Sequence, residues 1–524
     1  VTLSSTIHLR KLAVAVLVAG AAACSRDPYV PGQAEEVLGV PMGAIQNSIA
    51  ARVDSGKAPS WVSDGQWKRV RKLYGNWKYA PLWLEPEGVR DRATALLKAL
   101  EEAPRHALAT DRYPIDSIRR VVSDESLTKT DSPAALAEAD VVLTAAYVAY
   151  ANDMLVGQID PKTVGQSWHI PLRGSEVDSA LMRTLQSPAM AEGLAAMEPQ
   201  EEGYAQLLQE YARYQQIVAA GGWKELEGTG ARRAVIAERL RAEGFEADTS
   251  DISGALEIYQ ERHGLDQTGK LGAATLRALN VPAEERLRQI AINLERHRWL
   301  PRMLGDRYIY VNVPAFRLEA YDQGQKALEM KVVVGAEYDG RSTPVFADSM
   351  EFVVFRPYWN VTPNIAAKEF FPRYGNALPA GYEFWSEGGE TRIRQRPGEK
   401  NSLGLVKFMF PNSFNIYLHD TPAKSLFQRA DRAASHGCIR VSEPARLAEF
   451  VLGWDGGRVD DAMHGANNRH VKLPSKIPVY IVYFTAYMRD GHLHFSGDVY
   501  DRDDPLEEKR DSVIVPQRVA TSRD

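Results

Sequence analysis

Cysteine is scarce in this chain. Its 524 residues contain two, Cys24 and Cys438, which excludes a disulfide framework and leaves each thiol to be explained separately. A long basic run is also missing. Lys and Arg number 63 against 68 Asp and Glu, for a formal net charge of −5, so the electrostatic footprint of a nucleic-acid partner is absent. No internal repeat and no low-complexity segment is evident. The apolar run near the start, Leu12 to Ala23, is too short to span a bilayer comfortably as a permanent helix. What remains is ordinary globular composition, 44% hydrophobic and 25% charged, in a chain too long for one core; two to four domains are expected.

Arg10 and Lys11 precede the short apolar run, and Ala21 to Ala23 lead directly into Cys24. A basic start, an apolar middle and small residues before a cut site describe a secretory signal peptide over residues 1–24. These residues also resemble the lipobox of bacterial lipoproteins, in which the cysteine is acylated and held at the membrane. Ala21 stands where that family most often has leucine, so cleavage at the A-x-A pattern by the ordinary signal peptidase stays open. With Cys24 acylated or removed, Cys438 is an unpaired thiol in an oxidising compartment. It is either a small buried hydrophobe or a group held for attack.

Residues 25–43, with Pro28 and Pro31, read as a tether, and residues 44–227 as a helical domain. Its clearest element is "DSPAALAEADVVLTAAYVAYANDMLVG": Ser132 suits the cap, Pro133 the first turn and Gly157 the end. Leu136, Leu143, Tyr147, Tyr150 and Met154 form one apolar stripe, the mark of a core-packing helix. In residues 228–282 short helices carry Ile236, Leu240, Leu256 and Tyr259 inward, and Gly264, Gly269 and Gly272 punctuate a tight loop. This unit resembles the small three-helix peptidoglycan-binding module. Retained wall binding and a purely packing role are both open for it. A connecting helix occupies 283–304.

From 305 to 500 the period changes. Tyr308, Tyr310 and Asn312 oppose Ile309, Val311 and Val313, and "DQGQ" supplies a hairpin turn, so a β domain with few helices is expected. Its segment 370–404, rich in glycine and charge, is a candidate lid. Residues 501–524 are charged and expected to be a mobile tail. The fold class is multidomain α+β.

Cys438 lies in "SHGCIRV" and His419 in "IYLHDTP", nineteen residues upstream. A thiol attacks as thiolate, so it needs a base within reach or a positive setting. A strand ending at His419, followed by a loop and a return, brings the ring beside the sulfur. Gly437 lets the backbone turn so that nearby amides face a developing oxyanion, and Arg440 adds positive charge. Singly, His419 is equally a hydrogen-bonded core histidine and Arg440 an ordinary ion-pair partner. His492 and His494 in "GHLHF" lie on one side of a strand with no third ligand in the pattern and read as surface or rim residues.

"IYLHDTP" followed after this gap by "SHGCIRV" resembles the L,D-transpeptidase catalytic domain (YkuD-type), and the preceding helical segments resemble the scaffold domain of its large multidomain members. The resemblance implies Cys438 as nucleophile, His419 as general base, and the Asp420 backbone carbonyl orienting the imidazole. It implies an oxyanion hole at the Gly437 and Cys438 amides, with His436, Arg440 and Ser435 shaping the cleft, and Tyr417, Trp359 and Asn360 lining it. Arg356 stands where the family often has asparagine. The activity so implied is acyl transfer between peptidoglycan stem peptides in a periplasm, with loss of a terminal D-alanine and a 3→3 cross-link. No cofactor and no metal is implied. The implied partners are peptidoglycan peptide and glycan, carbapenem-type β-lactams as inhibitors, and a membrane through a lipid anchor at Cys24. L,D-carboxypeptidase activity, lipoprotein attachment to the wall, and a non-catalytic wall-binding lipoprotein are the alternatives.

Overall fold

The helix Pro133–Val156 organises the first domain. Ser132 Oγ accepts the Ala135 N–H at 3.3 Å, Pro133 opens the first turn, and Gly157, at φ 96°, ends it. The helix is buried on all sides, not along one stripe, because Met42–Ala50, Asp64–Asn76, Asp91–Glu102 and Gly174–Gln186 pack around it. Its buried Asp140 is reconciled with that core by accepting the Leu82 and Trp83 amides at 2.9 and 2.8 Å and the Tyr74 hydroxyl at 2.7 Å. These features come from a computed structural model that describes residues 33–514 apart from 90, 124–126, 128–129, 338–341 and 376. The signal-peptide and lipidation readings, Cys24 included, lie outside the described residues.

Three short helices, Arg233–Ala242, Ile252–Arg262 and Ala273–Leu279, form the next unit around Ile236, Leu240, Leu256, Tyr259 and Leu279. Buried Gln260 fixes its loop. Its carbonyl accepts the Thr268 and Gly269 amides at 2.8 and 2.9 Å, and its amide donates to the Lys270 carbonyl and Thr275 Oγ1, both at 2.9 Å. The helix Ala283–Arg298 then leads into the β domain.

The strand Arg307–Asn312 pairs with Arg317–Asp322, which turns through Gln323 and Gly324 into Gln325–Gly335. Positive φ at both turn residues, 51° and 74°, matches the twist of a tight hairpin. Phe346–Phe355, Val406–Met409, Leu418–His419, Ile439–Val441 and Arg469–Val482 complete a ring. Each strand pairs with its neighbours, and the Gln325–Gly335 strand pairs with both Arg317–Asp322 and Ile439–Val441. The sheet therefore closes as a barrel. Ile309, Val311, Leu318, Val332, Leu418 and Ile439 fill its interior, and the residues alternating with them face outward.

Segment 370–404, the candidate lid, carries structure of its own: Tyr382–Glu387 and Glu390–Gln395 form a hairpin that pairs with Trp359–Asn360 over a small core of Val361, Phe370 and Ile393. One expectation changes here. The charged tail begins as the helix Asp503–Ile514, not as mobile chain. Leu506 is fully buried there, Asp503 meets Arg296 at 2.6 Å, and Glu507 meets Arg288. High charge did not prevent docking, because the receiving surface carries matching arginines.

Candidate active site

Cys438 sits on the turn between Ala433–Ser435 and Ile439–Val441, two short strands that flank the end of Gln325–Gly335. The turn needs Gly437, whose φ is 108°. Ser435 Oγ ties it by donating to the Cys438 carbonyl at 2.6 Å and accepting the Gly437 N–H at 3.3 Å. Thr343 Oγ1 donates to the Gly437 carbonyl at 2.9 Å and accepts the Gly335 N–H at 3.0 Å. The Tyr500 hydroxyl braces this group, accepting the Thr343 N–H at 3.1 Å and donating to the Gly335 carbonyl at 2.7 Å. With the Gly437 carbonyl held inward, the trans peptide points the Cys438 N–H the opposite way. Among the described residues it finds no acceptor.

Leu418–His419 runs parallel to Ile439–Val441, with Leu418 opposite Ile439 and His419 opposite Arg440. Leu418 and Ile439 both face the barrel core, so Tyr417, His419, Cys438 and Arg440 share the outer face. His419 and Cys438 stand there as diagonal neighbours on adjacent strands. His419 Nδ1 donates to the Asp420 carbonyl at 2.5 Å. That assigns the proton to Nδ1 and leaves Nε2 as the acceptor. The half-buried sulfur rests 3.7 Å from the Asn415 carbonyl, and among the described residues no hydrogen bond joins it to His419. Catalytic hydrogen bonds commonly tighten only when substrate binds.

Burial dominates the electrostatics. It lowers the His419 imidazole to about 3, with the Arg440 charge adding to the effect and the Asp420 hydrogen bond opposing it. Burial also pushes the Cys438 thiol up, although hydrogen bonding by Tyr417 and the charges of Lys407 and Arg440 oppose it. The resting pair is therefore neutral imidazole and thiol. Positive charge from Arg440, expected to favour thiolate, is present but outweighed.

Lys407 lies opposite His419 across the next strand, its Nζ 3.7 Å from the centre of the Tyr417 ring. The Asp420 carboxylate accepts the Leu405 N–H at 2.9 Å and meets Lys424 at 2.6 Å. It thereby joins the residue beside the imidazole to the base of the 370–404 segment. A Cβ at Gly404 would lie 2.2 Å from Asp420 Oδ2, so that junction requires glycine.

The other expected residues divide. Tyr417 lies 5.7 Å from the His419 ring, Arg440 is opposite His419, Ser435 is buried in the turn, and His436 is exposed beside it. Trp359 and Asn360 belong to the small sheet, opposite Gln395 and Arg394, where Trp359 packs on Tyr382. The His494 reading is corrected. That ring is buried, stacked 5.6 Å from Tyr487 and lowered to about 2, mainly by burial; His492 is exposed. Sequence reasoning missed Lys407, Asn415, Thr343 and Tyr500. The alternation Val406, Lys407, Phe408 could have placed Lys407 on the outer face. The other three converge only through the fold.

The barrel, its outer-face histidine and the cysteine turn lie in a stretch that matches a known catalytic domain. Residues 306–481 match the family described as the L,D-transpeptidase catalytic domain, and residues 68–210 match the Scaffold domain. A Haemophilus influenzae protein named "Putative L,D-transpeptidase" is 31% identical over 239 residues, 41% of this chain. The match spans about half of that relative, 48% of its length. Two solved structures are also similar, each at 14% identity. One is an L,D-transpeptidase from Xylanimonas cellulosilytica, covering 50% of this chain and 97% of that one with a TM-score of 0.18. The other is the Ldtfm–avibactam carbamoyl enzyme, covering 35% and 50% with a TM-score of 0.17. At such TM-scores neither bears on the site.

Proposed function

We propose that this chain is a peptidoglycan L,D-transpeptidase working in the periplasm, with Cys438 as nucleophile and His419 as its base. The observation that carries the reading is the strand register, which sets an imidazole with a free Nε2 and a cysteine with an unpaired N–H on one face of adjacent strands. Cys438 Sγ attacks the carbonyl of the third stem residue while Nε2 takes the thiol proton, so charge separates only as the bond forms. The oxyanion develops at the Cys438 N–H, which is aimed outward by Thr343; the Gly437 N–H is engaged by Ser435 Oγ. The imidazolium returns its proton to the departing D-alanine amine. An amine from a neighbouring stem then attacks the thioester, regenerates the thiol and leaves a 3→3 cross-link. Ser435, His436, Arg440 and Tyr417 surround this centre. Trp359 and Asn360 act from the small sheet. Carbapenems acylate the same sulfur, and acylation of Cys24 anchors the chain to a membrane.

The test is incubation with purified tetrapeptide muropeptides and mass analysis of the products. Cross-linked dimers with loss of D-alanine support the reading. Tripeptides alone make the protein an L,D-carboxypeptidase, and no turnover by a folded chain defeats the enzymatic reading.

A further inference from the structure

On another wall of the barrel lies a cleft of about 480 Å³, within the range of small-ligand sites. Alternation builds its floor. Ile309, Val311, Leu318 and Ala320 point into the core, so Tyr308, Tyr310 and Tyr321 stand on the outside, and Tyr487 joins them from the hairpin of Ala486–Arg489 with His492–Phe495. Tyr308 lies flat on Tyr321, centroids 4.7 Å apart and planes 12° from parallel. The facing wall comes from the scaffold and the connecting helix: Gln206, and Glu201 held 3.0 Å from His297.

Chemistry narrows the occupant. The cations at the rim are already paired: Arg317 with Glu329 at 2.5 Å, Lys326 with Asp490 at 2.6 Å, and Arg489 with Glu261. Neither a polyanion nor a polycation is called for. Burial raises the Glu319 carboxyl above its usual range even though Tyr321 donates to it at 2.8 Å. The Tyr308 and Tyr310 hydroxyls find no hydrogen-bond partner among the described residues. Flat aromatic faces, unpaired phenols and a carboxyl with spare acceptor capacity describe a surface for a neutral, polyhydroxylated chain whose rings have apolar C–H faces.

We infer that this cleft is a glycan-binding site that takes a strand of neutral N-acetylated hexosamines; the choice of sugar rests on the peptidoglycan reading above. Tyr308 and Tyr310 stack on sugar rings, and their hydroxyls, with Glu319 and Gln206, meet the polar edges. The site is separate from the His419 wall, so it holds the polymer and not the scissile bond. A second cavity of about 780 Å³ shares Arg317 and Arg489 with the cleft and reaches Gln428 to Arg432, the segment leading into Ser435. A strand leaving the tyrosines is therefore directed toward the cysteine turn.

The test is isothermal titration of the full chain, carrying Cys438→Ala, with chitotetraose. Binding is read without turnover, so the result stands apart from whether the wild type cross-links or hydrolyses. Saturable binding is expected, weakened at least tenfold by Tyr308→Ala and Tyr310→Ala. Because a tyrosine deletion can loosen the hairpin, Gln206→Leu on the facing helix is the second variant, with a loss of about threefold expected at unchanged thermal midpoint. No chitotetraose binding overturns the inference. So does binding that survives all three substitutions, or that Asp266→Ala in the three-helix unit removes while the cleft variants keep it.

Discussion

Two buried histidines, one in the three-helix unit and one on the barrel wall, are held in opposite ways. His263 is engaged at both nitrogens, Nδ1 at 2.8 Å from the Tyr259 carbonyl and Nε2 at 3.1 Å from Glu243, and its ring lies flat on Tyr259. His419 is tied at Nδ1 alone, with the thiol of Cys438 as a diagonal neighbour. A histidine satisfied on all sides is a packing element. One fixed by a single bond keeps a nitrogen for chemistry. The difference separates a fully engaged imidazole from one with a nitrogen left over better than burial does, since both rings are buried.

The largest effect that would break this comparison lies at the barrel. Cys438→Ala and His419→Ala are each expected to lower transpeptidation by roughly 1000-fold or more, and the double variant by little beyond that, because the pair acts as a unit. Rates are read by muropeptide mass analysis, with thermal midpoints unchanged within a few degrees. In the three-helix unit the sign reverses. Glu243→Gln strips a charge from Arg239, 3.0 Å away, and from His263, and is expected to cost about 3–5 kcal/mol of stability in denaturant titration. Turnover of soluble tetrapeptide by the folded fraction should stay within about twofold. A loss matching that of His419→Ala would erase the distinction.

Acid sharpens the same contrast. His419, His106 and His494 are lowered from 6.5 to about 3, 4 and 2, chiefly by burial. The folded protein prefers each ring neutral while the unfolded chain binds the proton. Stability is thus whole above pH 6.5 and falls as pH drops from there toward the folded values. At pH 5 each ring accounts for about 2 kcal/mol, so the midpoint in urea should fall steadily from pH 7 to pH 5. A flat profile would mean the rings are protonated in the fold. The smallest effect concerns Thr343. Thr343→Val removes the donor to the Gly437 carbonyl and should lower kcat about tenfold while leaving KM nearly unchanged. A fall in stability with kcat intact would make Thr343 structural only.

Much of this was legible in the sequence. Ser132, Pro133 and Gly157 mark their helix because capping is local, and the tyrosines of Arg307–Asn312 reveal their face through the two-residue period. His419 and Cys438 were visible because their motifs are contiguous. Less legible was whatever depends on distant partners. The helix Pro133–Val156 shows one stripe in sequence but is enclosed on all sides by helices far along the chain. The charged run after Tyr500 looked mobile until Arg296 and Arg288 were set against it. Thr343 and Tyr500 carry no local signature, since their role exists only where the barrel brings them under Gly437.

The closed ring of strands has a consequence for how a peptide can be gripped. An open sheet offers a row of backbone groups on which an extended peptide anneals as one more strand. Here the strands Leu418–His419 and Ile439–Val441 have neighbours on both sides, so an extended peptide placed at this wall gains little from the ladder. Any peptide held here is read by side chains standing out from the wall and by the outward Cys438 amide, and selectivity among such peptides is set by their substituents more than by their backbone.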